Sequence, residues 1–144
     1  IKSSGRIFFT VGNMEYLKHG GRIGKVASVA GSLLGIKPII TLKEGEIFPS
    51  GIGRSRRKTV DKTIDLLLAY LAEEKTDIAD YSICIGYGYD KEEAVEFRDR
   101  LVSRLKEKGY DIDTIPIFQI GATIGVHTGP YPLGIGVVKK SIRE

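Results

Sequence analysis

Residues 118–136 read Phe-Gln-Ile-Gly-Ala-Thr-Ile-Gly-Val-His-Thr-Gly-Pro-Tyr-Pro-Leu-Gly-Ile-Gly and place His127 and Thr128 side by side, directly before Gly129-Pro130. Apolar runs at 115–118 and 135–138 flank them, each with the composition of a strand. Gly121, Gly125 and Gly129 admit tight turns or the close approach of a ligand, and Pro130 and Pro132 stiffen the backbone leading into the second run. An imidazole and a hydroxyl held this way can aim hydrogen-bond donors at a small anion. The same residues equally describe a Gly/Pro turn that carries a surface histidine. A second chemical group is Arg22, placed straight after Gly20-Gly21. A backbone that bends sharply there can point a guanidinium, the alternative being a solvated loop arginine. A third is the basic run Arg54-Ser55-Arg56-Arg57-Lys58, which precedes a helical pattern with Val60, Ile64, Leu67, Leu68 and Leu71 on one face. Cations at a helix N-terminus oppose its dipole at about 0.3–1 kcal/mol each, so the run suits an acidic partner or anion unless it is a solvated face with packed stems.

The elements that must position these groups are legible in the spacing. Strands are expected near 6–11, 38–43, 46–52, 81–86, 111–118 and 133–139, and helices near 13–19, 24–34, 57–74 and 91–108. Asn13 stands where it can cap the first helix, and Gly20-Gly21 can close it through a left-handed turn. Gly35 and Pro38 end the second helix, and Glu44-Gly45 reads as a hairpin turn between two apolar runs. Asp90 and Glu93 have capping-box spacing. The Gly86-Tyr87-Gly88 step after a strand lacks the third glycine of a dinucleotide fingerprint, and the acidic turn after it would repel a pyrophosphate.

The chain has 144 residues, enough for one domain with a full core, and 42% hydrophobic with 28% charged residues fits a globular fold. A net charge of +4 does not by itself call for nucleic acid, and no aromatic interleaving accompanies the basic run 54–58. Cys84, the single cysteine, lies in an apolar run and is expected as a buried core thiol in a reducing cytoplasm, with no second cysteine for a disulfide or a metal site. No apolar run approaches the ~20 residues of a membrane span. The chain opens at Ile1 instead of Met, as a segment of a longer protein would.

Two stretches resemble the DegV-like fatty-acid-binding proteins: Tyr16-Leu17-Lys18-His19-Gly20-Gly21-Arg22-Ile23 with the small-residue segment and Gly35-Ile36-Lys37-Pro38 after it, and Ile124-Gly125-Val126-His127-Thr128-Gly129-Pro130. The motifs occur in the family's order, and the resemblance covers nearly all of residues 1–144, as the C-terminal domain of a two-domain protein. It implies an α/β fold of α+β character, with a mainly antiparallel or mixed six-stranded sheet and layered helices. It also implies a cytoplasmic carrier, not an enzyme, that needs no cofactor or metal. Such a carrier takes part in lipid transport and fatty-acid metabolism, holding a long-chain fatty acid between two domains and presenting its carboxylate to a fatty-acid kinase. By position Arg22, His127, Thr128 and Gly129 fall at the head group, and Arg54, Arg56 and Arg57 are expected to dock the kinase. The family's N-terminal domain, which supplies hydroxyl anchors for the carboxylate, does not lie within this sequence. Tyr131-Pro132 replaces the family's usual Gly-Ala, and bulk there is expected to narrow the head-group site. Two other classes remain in view: a hydrolase or transferase with His127 as general base, without a recognisable Ser or Cys nucleophile elbow, and a nucleic-acid-binding module using residues 54–58.

Overall fold

The computed structural model describes residues 3–30, 35–75 and 77–141. Six strands form one sheet in the order β3-β2-β1-β6-β4-β5. These are β1 (Arg6–Thr10), β2 (Lys37–Lys43), β3 (Glu46–Gly53), β4 (Tyr81–Tyr87), β5 (Ile117–Gln119) and β6 (Leu133–Lys139). Neighbours pair antiparallel except β4 and β5, which run parallel, so the sheet is mixed. The β2–β3 turn is the expected hairpin, with Glu44 and Gly45 both at positive φ.

Side chains alternate across a strand, and here the alternation divides the molecule. Phe8, Ile83, Ile85, Ile135 and Val137 point to one face and are buried beneath two long helices, α3 (Arg56–Glu74) and α4 (Lys91–Glu107). Val60, Ile64, Leu67 and Leu71 of α3 meet Phe97, Leu101 and Leu105 of α4 there. Each such side chain contributes about 1.5–3 kcal/mol by leaving water, which makes this layer the stable base of the domain. The helices run parallel, and three ion pairs join them in matching order: Arg56–Glu93, Asp61–Arg100 and Asp65–Arg104. Ser55 caps α3 by accepting from the Lys58 backbone N–H at 3.4 Å. Asp90 caps α4 by accepting from the Glu93 N–H at 2.9 Å, while the Glu93 carboxylate goes to Arg56 and does not close the capping box.

The other face carries Ile7, Phe9, Leu42, Cys84, Gly134 and Gly136, which the strand registers set in cross-strand rows. Short elements cover only part of it. α1 (Glu15–His19), a 3-10 turn (Gly24–Val26) and α2 (Ala27–Ala30) lie toward β2 and β3, where Leu17 and Val26 pack on Ile40 and Phe9. α5 (Ala122–Thr128) lies beyond β5.

Three expectations change. The helix expected over 24–34 begins as a 3-10 turn, and residues 31–34 lie outside the described residues. The strand expected over 111–118 shrinks to β5, because the alternation of 111–116 records the burial of Ile115, with Ile112 packed on the core, and not sheet pairing. Cys84 is not a buried core thiol: it is half-buried and faces the partly covered side, since the side chains buried beneath the helices come from its neighbours Ile83 and Ile85.

Candidate functional site

α1 and α5 bring the sequence-selected residues together. Asn13 Oδ1 accepts from the Glu15 N–H at 3.0 Å to start α1, and Gly20-Gly21 ends it. The two glycines do different work. Gly21 has φ +65°, the left-handed region, with nothing near a Cβ position. Gly20 has φ −76°, open to any residue, yet a Cβ on it would overlap the His127 imidazole at Nδ1. On the other side of the same residue, Arg22 Nη1 donates to the Gly20 carbonyl at 3.1 Å. Arg22 and His127, more than a hundred residues apart in the chain, therefore share Gly20 as a neighbour.

The contact is reciprocated one turn away. Gly129, which ends α5 at φ +74°, lies against the Tyr16 ring, and a Cβ there would fall 2.5 Å from Cδ2. Each helix end thus seats an aromatic ring of the other on a glycine. His127 is half-buried and its Nδ1 is enclosed, with no hydrogen-bond partner among the described residues, which leaves Nε2 as the accessible nitrogen. Thr128 is buried, and its hydroxyl lies 3.3 Å from both the Ile124 and the Gly129 carbonyls, where its single hydrogen can serve either.

Thr128 also lines an apolar groove of about 370 Å³ on the partly covered sheet face. Its floor is the cross-strand set Ile7, Phe9, Gly134, Gly136 and Cys84, and Phe118, Ile120 and Ile124 form the wall on the α5 side. Glycines keep that floor low: a Cβ on Gly136 would lie 3.1 Å from Cys84 Sγ, and one on Gly86 would lie 3.4 Å from Ile120. Phe118 and Ile124 are more than half exposed, so among the described residues nothing covers the outer edge of this wall. Burial raises the Cys84 thiol above its ordinary value, and the Gly136 backbone N–H directed at the sulfur offsets part of the rise.

The basic run stands apart from this groove. Arg54, Arg57 and Lys58 are exposed, whereas Arg56 is bound by Glu93 through two hydrogen bonds of 2.8 and 2.9 Å. Arg56 lines a second cavity of about 340 Å³ together with Lys37, Asp90 and Tyr131. Tyr131 packs on Gly12 and edge-on against Tyr89, so its bulk faces this cavity and not the groove. Among the described residues no cluster of His, Cys, Asp and Glu could hold a metal, and no helix is long and apolar enough to cross a membrane.

Sequence reasoning missed α5 and the two ring seats. The signal for the helix was present: Gly121, Gly125 and Gly129 are four apart, and the Gly121 and Gly125 carbonyls accept the α-helical bonds from Gly125 and Gly129. It was masked because α5 is too short for apolar periodicity and leaves Ile124 and Val126 exposed. Tyr16 and Gly20 show no role until α1 and α5 meet in space.

The chain matches known proteins over nearly its whole length. The family model described as "Uncharacterised protein, DegV family" matches residues 1–140. A DegV domain-containing protein of Clostridium perfringens is 36% identical over 137 residues, covering 92% of this chain and 44% of its own length. A stearic acid-binding protein of Eubacterium ventriosum superposes with a TM-score of 0.86 at 45% identity, covering 97% of this chain and 46% of that one. A DegV family protein of Thermus thermophilus, whose structure is described for its fatty acid binding, superposes with a TM-score of 0.80 at 28% identity, covering 95% of this chain and 46% of that one. The chain therefore spans slightly less than half the length of these relatives.

Proposed function

Because the chain belongs to the DegV family, we propose that it forms one wall of a cytoplasmic carrier that holds a long-chain fatty acid and presents its carboxylate to a separate fatty-acid kinase. The observation that carries this reading is the groove on the partly covered sheet face, apolar along its floor and lined by Thr128 beside the Arg22–Gly20–His127 contact. An acyl chain gains about 0.8 kcal/mol for each methylene removed from water, but only where walls surround it. A groove that opens to solvent along Phe118 and Ile124 needs a second wall, and relatives of about twice this length have room for a further domain to supply it.

The head-group chemistry rests on donor types. A carboxylate only accepts hydrogen bonds, and a guanidinium offers it a charge-assisted fork. His127 adds one donor, and Thr128 and the Gly129 backbone shape the position. No metal or cofactor is required to neutralise a single negative charge beside Arg22. The kinase would dock on the exposed cations Arg54 and Arg57, beside Arg56 in its Glu93 pair. A hydrolase reading fits less well. A general-base histidine is oriented by a partner on its second nitrogen, and here Nδ1 faces a glycine Cα.

The test is made on the two-domain protein with its kinase. A charge-assisted hydrogen bond contributes roughly 1.5–3 kcal/mol, so Arg22→Ala is expected to lower acyl-phosphate formation about ten- to a hundredfold and to weaken binding less. Negative charge gathers at the head group during phosphoryl transfer, which is why turnover suffers more. His127→Ala should act in the same direction and more mildly. Ester hydrolysis without kinase that disappears with His127 would overturn the carrier in favour of the hydrolase.

A further inference from the structure

Gly20 sits in a conformation that any residue adopts, φ −76° and ψ 0°, unlike its neighbour Gly21. Backbone freedom therefore does not explain a glycine at this position. Space does: the place a Cβ would take is filled by the His127 ring, with Nδ1 the nearest atom and Cε1 at 3.1 Å. The Gly20 Cα–H on that side points toward Nδ1, a contact of the weak C–H donor kind that suits a bare nitrogen lone pair and not a second N–H.

We propose that Gly20 is a positioning residue that fixes the tautomer of His127, holding Nδ1 bare and inward and so placing the ring hydrogen on Nε2, where it is accessible. A neutral imidazole carries one hydrogen, and which nitrogen bears it is set by what the other one meets. Enclosed Nδ1 has no acceptor among the described residues, so an N–H there would go unsatisfied, while Nε2 can reach solvent or a ligand. The Tyr16 ring on Gly129 reinforces the seat from the other side. It packs the end of α5 against α1, the element that carries Gly20. The seat thereby turns His127 into a fixed donor in place of a base. This inference rests on the carrier reading only for what Nε2–H meets, and the tautomer itself is measured with no lipid present.

The chain contains only two histidines, His19 and His127, which makes the measurement direct. The probe is a long-range proton–nitrogen NMR spectrum of the imidazoles in the full chain, at a pH where both rings are neutral. His127 is expected to show one nitrogen of the bare type, Nδ1, and one of the protonated type, Nε2. His19 has its Nε2 3.8 Å from the Glu15 carboxylate, so blocked histidine in the same buffer serves as the reference for a ring exchanging between tautomers. In Gly20→Ala the methyl group evicts the ring, so the His127 nitrogens should move to the averaged positions of blocked histidine while the amide signals of β4 and β6 stay in place. Gly21→Asn, which tolerates the left-handed turn, should leave the His127 pattern unchanged. Protonated Nδ1 in the wild-type chain would overturn the proposal, and so would a Gly20→Ala spectrum with an unaltered His127 pattern. Should Gly20→Ala fail to fold, the wild-type spectrum decides against blocked histidine: nitrogen positions no different from those of the free, averaging ring would overturn the seat. A correct tautomer in a protein that binds no fatty acid would leave the seat standing and count against the carrier reading only.

Discussion

Arg56 grips Glu93 with both arms of a fork, Nε to Oε1 at 2.8 Å and Nη2 to Oε2 at 2.9 Å, and ties the first turn of α3 to the first turn of α4. Both side chains are one-quarter exposed, so the pair is screened less than its two neighbours in the ladder. The third Arg56 nitrogen, Nη1, is enclosed with no hydrogen-bond partner among the described residues, so within them the guanidinium depends on the Glu93 carboxylate. Glu93→Ala is expected to destabilise the fold by about 1–3 kcal/mol, the range for losing a charge-assisted hydrogen-bonded pair, whereas Asp65→Ala should cost less than about 1 kcal/mol. Urea denaturation of the two variants checks the order, and equal losses would show that the fork holds the helices no better than an exposed pair.

The same fork divides the basic run by exposure. Arg56 is held within the fold, while Arg54 and Arg57 are exposed and are the residues proposed to meet a partner. Reversing both to Glu should slow association with the kinase about tenfold at low salt and leave fatty-acid affinity unchanged, the difference shrinking as screening grows. Stopped-flow association at two ionic strengths reads this out. Identical rates at low salt would return these arginines to a solvated face.

Gly129 meets two constraints where Gly21 meets one. Both have positive φ, but only Gly129 faces a ring at 2.5 Å from its Cβ position. Gly21→Ala should therefore cost about 1–2 kcal/mol of backbone strain alone. Gly129→Ala should add the overpacking term of about 1–3 kcal/mol, and Tyr16→Ala in the same chain should relieve part of it. Chemical denaturation of the single and double variants checks the coupling, and strict additivity would mean that the Tyr16 seat carries no strain.

Long elements were legible in the sequence because their pattern repeats often enough to be read. α3 and α4 each show four or more apolar residues at helical spacing, and the start of α4 is marked by Asp90. β6, Leu133–Lys139, has the bounds expected for the strand around the apolar run 135–138. Short elements were not legible, because one or two turns carry too little periodicity: α5 reads as a Gly/Pro loop, and β5 is three residues long. The site divides in the same way. Arg22, His127, Thr128 and Gly129 could be selected by residue type and resemblance, and the structure gathers them. Gly20 and Tyr16 act only by touching residues more than a hundred positions away, and a single sequence without spatial contacts does not reveal that. Cys84 was misplaced because its run reads as apolar throughout, whereas Tyr81, Ile83, Ile85 and Tyr87 turn to the helices and Ser82, Cys84 and Gly86 take the other face.

That misplaced cysteine gives the most direct test of the acyl groove. Cys84 lies on the groove floor beside Gly136, half-buried, with its thiol raised by burial. Only the thiolate reacts with a maleimide, so labelling at neutral pH should be slower than in the unfolded chain, and should keep rising with pH past the ordinary thiol range. The measurement is the labelling rate of the Cys84 peptide by mass spectrometry in the two-domain protein, with and without saturating palmitate. An acyl chain lying on β1, β6 and β4 covers the sulfur, and the rate is expected to fall at least tenfold. A rate unchanged by palmitate that is demonstrably bound would place the chain elsewhere and contradict the groove as the fatty-acid site.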